Sequence, residues 1–193
     1  MPCSTELQTE TSAQKLKNYK LRVEESYNHD ASAYTQGLFF HNGELYETTG
    51  QYGSSSIRKV DLKSGRVLNY IPVDKKYFAE GSCVLDGRMY VLTWMEKVGF
   101  VYDIATLKKI GEFRNPREGW GITTDGKSLI MSDGSSRIYY LDPLTFMEQK
   151  SVEVTLNGKK INYINELEFI GGKIWANVYT TDTIIIIDPA SGV

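Results

Sequence analysis

The chain has 193 residues, 22 basic and 24 acidic, for a formal net charge of −2. That length supports one sizeable core in a single domain, and the balanced charge without a basic block gives nucleic-acid binding no electrostatic support. No apolar run reaches the roughly 20 residues that a membrane-spanning helix needs. Thirteen tyrosines, 17 glycines and many β-branched residues favour an all-β fold. The two cysteines, Cys3 and Cys83, make no disulfide framework. Cys83 lies in a strand pattern and reads as a buried, inert thiol.

Residues 1–18 are polar and without a sustained period, and they read as a flexible lead or tag. Met1-Pro2-Cys3-Ser4 lacks the charged and apolar regions of a signal peptide. Residues 19–193 read as the folded domain. Leu21, Val23 and Tyr27 alternate with charged residues, which predicts a first strand over 19–27. After the loop at 28–32 comes a full unit: strands at 37–40, 44–49, 56–61 and 66–71, with an Asn42-Gly43 hairpin and turns at 51–55 and 63–65. Later units repeat this grammar with Asp86-Gly87, Asp125-Gly126 and Gly171-Gly172. The apolar run at 183–187 reads as a buried strand.

Two markers measure the repeat. Thr35-Gln36-Gly37-Leu38, Ala79-Glu80-Gly81-Ser82, Gly119-Trp120-Gly121-Ile122 and Ile164-Asn165-Glu166-Leu167 place Gln36, Glu80, Trp120 and Asn165 at intervals of 44, 40 and 45 residues. Asp61, Asp103, Asp142 and Asp188, each with Ser or Thr three residues on, recur at 42, 39 and 46. These aspartates suit turn capping through side-chain to backbone bonds. A period near 40–45 with four strands per unit predicts a β-propeller of four-stranded blades. Equivalent positions then gather around one axis, and Glu80 is the one carboxylic acid among the first four. From Thr35 onward the chain holds just under four units. It reads either as a four-bladed ring closed by the 19–27 strand or as a five-bladed ring lacking its last blade.

The aligned units resemble the glutamine cyclotransferase family, the plant and bacterial type of glutaminyl-peptide cyclotransferase. The resemblance is carried by His29-Asp30, Tyr34-Thr35-Gln36-Gly37-Leu38, Phe78-Ala79-Glu80-Gly81, Leu92-Thr93-Trp94, Gly119-Trp120-Gly121, Asn165-Glu166-Leu167-Glu168 and Ala176-Asn177-Val178-Tyr179. It implies a five-bladed propeller with about four blades in this chain, and conversion of N-terminal glutamine to pyroglutamate without a catalytic metal. It implies a catalytic role for Glu80 and substrate contacts from Tyr34, Gln36, Phe78, Trp94, Trp120, Asn165 and Tyr179. Tyr34, Tyr179 and Ala79 depart from the usual Phe, Trp and Gly. A further pocket lysine, carried by the family's last blade, has no counterpart here, which favours the five-bladed reading. The implied partners are peptides or proteins with N-terminal glutamine, and the implied location is extracytoplasmic.

Those residue types suit the chemistry. The α-amine of an N-terminal glutamine attacks its own γ-amide carbon, so orientation and proton movement are what a protein can supply. One carboxyl group, Glu80, can take the proton from the amine and give one to the leaving nitrogen. Gln36 and Asn165 can donate to the γ-carbonyl oxygen, while Trp94, Trp120 and Tyr179 form an apolar cage. No cofactor is expected. His29 and His41, 12 residues apart, have no zinc-ligand spacing. A structural calcium is compatible with an axial channel but has no loop motif behind it. The competing reading is a catalytically silent propeller that binds a peptide or protein on its axial face.

Overall fold

The computed structural model of the protein describes residues 17–193, and the regular structure in them is all β. Blade one is an antiparallel sheet of β1 (Thr35–His41), β2 (Glu44–Thr49), β3 (Ser56–Val60) and β4 (Val67–Pro72). Blade two repeats it with β5 (Ala79–Leu85), β6 (Arg88–Thr93), β7 (Val98–Asp103) and β8 (Lys109–Arg114). Blade three has β9 (Ile122–Thr124), β10 (Leu129–Ser132), β11 (Arg137–Leu141) and β12 (Glu148–Glu153). A short hairpin, β13 (Thr155–Leu156) and β14 (Lys159–Lys160), leads to blade four: β15 (Ile164–Ile170), β16 (Lys173–Val178) and β17 (Thr183–Ile187). The first strands of successive blades, β1, β5, β9 and β15, pack side by side in that order. The architecture is a β-propeller of four blades among the described residues.

The local chemistry explains the meanders. Asn42-Gly43, Asp86-Gly87 and Gly171-Gly172 have both residues at positive φ, between 50° and 79°. That is the type I′ hairpin geometry which Asn, Asp and Gly tolerate. Asp125-Gly126 differs: only Gly126 has positive φ, and the Asp125 carboxylate accepts from the Lys127 and Ser128 amides in a wider turn. The four repeating aspartates cap the turn after each third strand. Asp61 accepts from the Ser64 amide at 2.8 Å, Asp103 from Thr106 at 2.8 Å, Asp142 from Thr145 at 2.8 Å and Asp188 from Ser191 at 3.0 Å. Hydrogen bonds from Ser64, Thr106 and Thr145 hold Asp61, Asp103 and Asp142 below the usual carboxylate range.

The core lies between blades rather than in one centre. Ile57, Met89 and Phe100 fill the interface of blades one and two. Leu92, Leu129 and Met131 fill that of two and three, and Ile130, Ile138 and Ile174 that of three and four. Each sheet buries both faces only when it has a neighbour on each side. Cys83 is free and buried, as its strand pattern suggested; Cys3 and nearly all of the 1–18 segment lie outside the described residues.

Two expectations are corrected. Residues 19–27 form no strand, and Leu21 and Val23 are each 79% exposed. Alternation there gains nothing, because this stretch leads into a segment anchored on blade one: His29 meets Glu47 at 2.8 Å and Asp30 meets Arg58 at 2.8 Å. The apolar run Thr183–Ile187 is an edge strand, not a buried one. Ile187 is buried, but Ile184 is 49% exposed, since blade four has three strands among the described residues and β17 is its outermost.

Candidate active site

The four repeat-marker positions lie where the inner strands begin, and three of them sit in breaks of the pairing register. The β1–β2 register shifts between Thr35 and Gly37, at Gln36. The β5–β6 register shifts between Ala79 and Ser82, at Glu80-Gly81. The β15–β16 register shifts between Ile164 and Leu167, at Asn165-Glu166. A bulge re-aims a side chain that regular pleating would send onto a sheet face. Trp120 precedes β9 and is pinned by its amide to the Ser132 carbonyl and by its own carbonyl to the Gly81 amide.

Bulges strand backbone groups, and buried hydroxyls satisfy them. Thr48 Oγ1 donates to the Glu80 carbonyl at 2.7 Å and meets Ser82 Oγ at 3.1 Å. Ser132 Oγ accepts from the Gly121 amide at 2.8 Å and donates to the Asn165 carbonyl at 2.7 Å. A buried group left without such a partner costs roughly 1–3 kcal/mol. These bonds also tie blade one to two and blade three to four beneath the site.

Glu80 is 7% exposed. Burial pushes its carboxyl up to about 9, and the carboxylates of Glu96 and Glu118 push the same way. At neutral pH Glu80 is therefore a carboxylic acid, able to donate as well as accept. In its ionised form it also adds to the upward push on the hydroxyls of Tyr34 and Tyr52. Burial is the main cause for Tyr34. For Tyr52 the main cause is its bond to Glu96, and the hydroxyl reaches about 12.

Aromatic rings stand around this carboxyl. Phe78, just before Glu80, meets Tyr34 at 6.2 Å, Tyr52 at 5.5 Å and Trp94 at 5.6 Å between ring centres, all edge-on. Trp120 meets Tyr179 at 5.6 Å, with the rings nearly perpendicular. These are favoured quadrupole geometries. The Tyr179 hydroxyl lies close enough to Tyr34 to add to the upward push on its hydroxyl. Tyr34, Phe78, Glu80, Trp94, Trp120 and Tyr179 thus come together. Gln36 and Asn165 occupy the corresponding bulges, half-buried. Neither side-chain amide has a hydrogen-bond partner among the described residues.

A match to the glutamine cyclotransferase family extends over residues 1–193. The chain belongs to that family. A glutaminyl-peptide cyclotransferase of Arabidopsis thaliana is 42% identical over 175 residues, covering 90% of this chain. The chain spans 55% of the length of that Arabidopsis relative. The crystal structure of Myxococcus xanthus glutaminyl cyclase matches with a TM-score of 0.80 and 34% identity, over 86% of this chain and 70% of that one. The WD40 domain of Neurospora crassa Pan2 matches with a TM-score of 0.57 and 12% identity, over 79% of this chain and 46% of that one, and shares the fold alone.

Four residues of this chain escape a reading of its sequence. Glu118 Oε2 accepts from the indole nitrogens of both Trp94, at 2.9 Å, and Trp120, at 3.0 Å. Glu96 accepts from the Tyr52 hydroxyl at 2.7 Å. These three residues lie in loops, outside the repeat frame that singled out Glu80. Glu166 did have a signal: it stands where the other three markers have Gly37, Gly81 and Gly121. An added Cβ on Gly81 would meet Glu166 Oε2 at 2.6 Å, so the fourth blade's carboxyl reaches the residue beside Glu80. Oε2 is buried without a partner. Burial pushes that carboxyl well up, and Glu168 and Glu80 add to the effect.

Proposed function

We propose that this chain converts an N-terminal glutamine to pyroglutamate with release of ammonia, without a metal, and with Glu80 as general acid and base. The observation that carries the reading is the buried Glu80 carboxyl, pushed up by that burial, at the strand start that follows Phe78 and its packed rings Tyr34, Tyr52 and Trp94. The α-amine nitrogen attacks the γ-carbon. One oxygen of Glu80 accepts the amine proton while the other gives its proton to the leaving nitrogen. The ring C–N bond forms, the amide C–N bond breaks, ammonia departs and the Glu80 carboxyl is regenerated. Such proton transfer accounts for roughly 10²–10⁴-fold of rate. The free amides of Gln36 and Asn165 suit the developing oxyanion. Trp94, Trp120 and Tyr179, with Phe78 and Tyr34 behind Glu80, suit a small uncharged side chain and exclude water.

The test is ammonia release from a glutamine-initiated dipeptide, followed against pH with and without a chelator. Turnover rises as the substrate amine loses its proton, near about 8. It falls as Glu80 ionises near 9, giving a narrow bell. Unchanged rates in chelator support the metal-free route, and loss of activity restored by added metal overturns it. A flat alkaline profile removes the protonated carboxyl from the mechanism. Tight binding of the dipeptide without turnover identifies a silent peptide-binding propeller instead.

A further inference from the structure

We propose that Glu118 is a positioning residue: its carboxylate clamps the indoles of Trp94 and Trp120 from two blades and fixes both walls of the cage over Glu80. The kinetic part of this inference rests on the cyclisation reading above; the clamp itself does not.

The clamp is built by the backbone around it. Glu118 lies in the loop from β8 to β9. Asn115 starts the loop by bonding its amide to the Lys97 carbonyl and accepting from the Arg117 amide through its side chain. Gly119 closes it, its amide donating to the carbonyls of Thr93 and Trp94 at 3.1 and 3.0 Å. Trp94 is bonded through its own amide to the Phe78 carbonyl, two residues from Glu80. Trp120 is bonded on to Ser132 and Gly81. Glu118 is thereby held between two rings whose backbones are already fixed relative to Glu80.

What the backbone leaves free is each ring's rotation about its side-chain torsions. Both indoles are only half-buried, so water could serve either N–H and folding does not require a protein acceptor. Convergence of both on one oxygen therefore sets ring orientation. A charged acceptor gives bonds about twice as strong as a neutral one. Trp120 hands the orientation on to Tyr179, whose ring packs edge-on against it, and Trp94 hands it on to Phe78. The same carboxylate is one of the groups that act on Glu80. The other is Glu96 from the β6–β7 loop, and Glu80 in turn acts on Glu166 of β15 and on the hydroxyls of Tyr34 and Tyr52.

Charge and reach separate in two variants. Glu118→Gln keeps an acceptor of the same length and removes the charge; Glu118→Asp keeps the charge and shortens the reach. Indole ¹H–¹⁵N signals of the 193-residue chain report the clamp directly. There are three tryptophans, Trp94, Trp120 and Trp175. In Glu118→Asp two indole signals are expected to move upfield while that of Trp175 stays. KM is then expected to rise so that kcat/KM falls roughly tenfold to hundredfold, with the alkaline limb of the pH profile in place. In Glu118→Gln the alkaline limb is expected to move to lower pH, because a negative charge that favoured the protonated acid is gone. The inference is overturned if the indole signals of Trp94 and Trp120 are unmoved in Glu118→Asp. It is equally overturned if they move but KM stays at the wild-type value in an active protein. If the wild-type chain shows no cyclisation, the proposed function fails while the indole signals still decide the clamp.

Discussion

Glu80→Gln is expected to lower cyclisation by roughly 10²–10⁴-fold while leaving the fold intact and raising thermal stability at pH 8. Glutamine matches the shape of the carboxyl but cannot pass a proton. The stability gain follows from linkage. The folded value of Glu80 is about 9, against about 4.5 when unfolded. The stability that goes with a raised value is fully present below 4.5 and is lost as pH rises through 9. At pH 7–8 the native state thus carries a penalty that glutamine avoids, on the order of 3–5 kcal/mol. Melting curves of both proteins from pH 4.5 to 9 check this. The gap should open with rising pH and close near 4.5. Wild-type turnover in the variant would remove Glu80 from the mechanism, and a gap independent of pH would remove the protonated acid.

Gly121→Ala is expected to be among the most damaging single methyl additions. An ideal Cβ there lies 2.2 Å from the Asn165 carbonyl oxygen, 2.7 Å from Glu166 Cα and 2.9 Å from the Asn165 carbonyl carbon. All three atoms are backbone of β15, so no side-chain rotation gives relief, and blades three and four must separate. The cost is roughly 3 kcal/mol or more, a fall of about 6–12 °C in melting temperature for a chain of this size. Activity should fall further than stability alone accounts for, because Trp120 and Asn165 stand on the two backbones being forced apart. Gly111→Ala is the control. Its Cβ would meet only Val101, at 3.8 Å, an ordinary contact. Equal melting temperatures for the two variants would refute the close approach of β9 and β15.

The penalty at Glu80 and the crowding at Gly121 have one origin. The repeat brings four strand starts to one axis, and the bulges there turn side chains inward at the expense of regular pairing. Glu80, Glu96, Glu118 and Glu166 lie within electrostatic range of one another in pairs that all include Glu80. Like charges crowded in a partly dry site hold protons that solvent would otherwise take. A site of this kind gives up stability to keep an acid protonated at neutral pH.

Some of this was legible in the residues alone. The Gln36, Glu80, Trp120, Asn165 spacing and the Asp61, Asp103, Asp142, Asp188 spacing are local signals, repeated at one period because each blade solves the same turn and strand problem. Local chemistry therefore determined the propeller, its inner strands and the aspartate-capped turns. The aromatic positions besides Trp120 came from the resemblance to the family rather than from the repeat. Tertiary packing alone decided the rest. Whether 19–27 pairs with anything depends on which edge lies within reach, and the His29 and Asp30 anchors take it to blade one. Whether Ile184 is buried depends on a neighbour, which strand periodicity does not encode. Glu118 and Glu96 sit in loops whose sequence shows only charge, and a charged loop residue is usually solvated. Trp94 lies 24 residues from Glu118 and Tyr52 lies 44 from Glu96, so only the folded chain brings those rings to the carboxylates. The proton on Glu80 is the last such property, because it comes from burial and from neighbouring charges that exist only once the blades have packed.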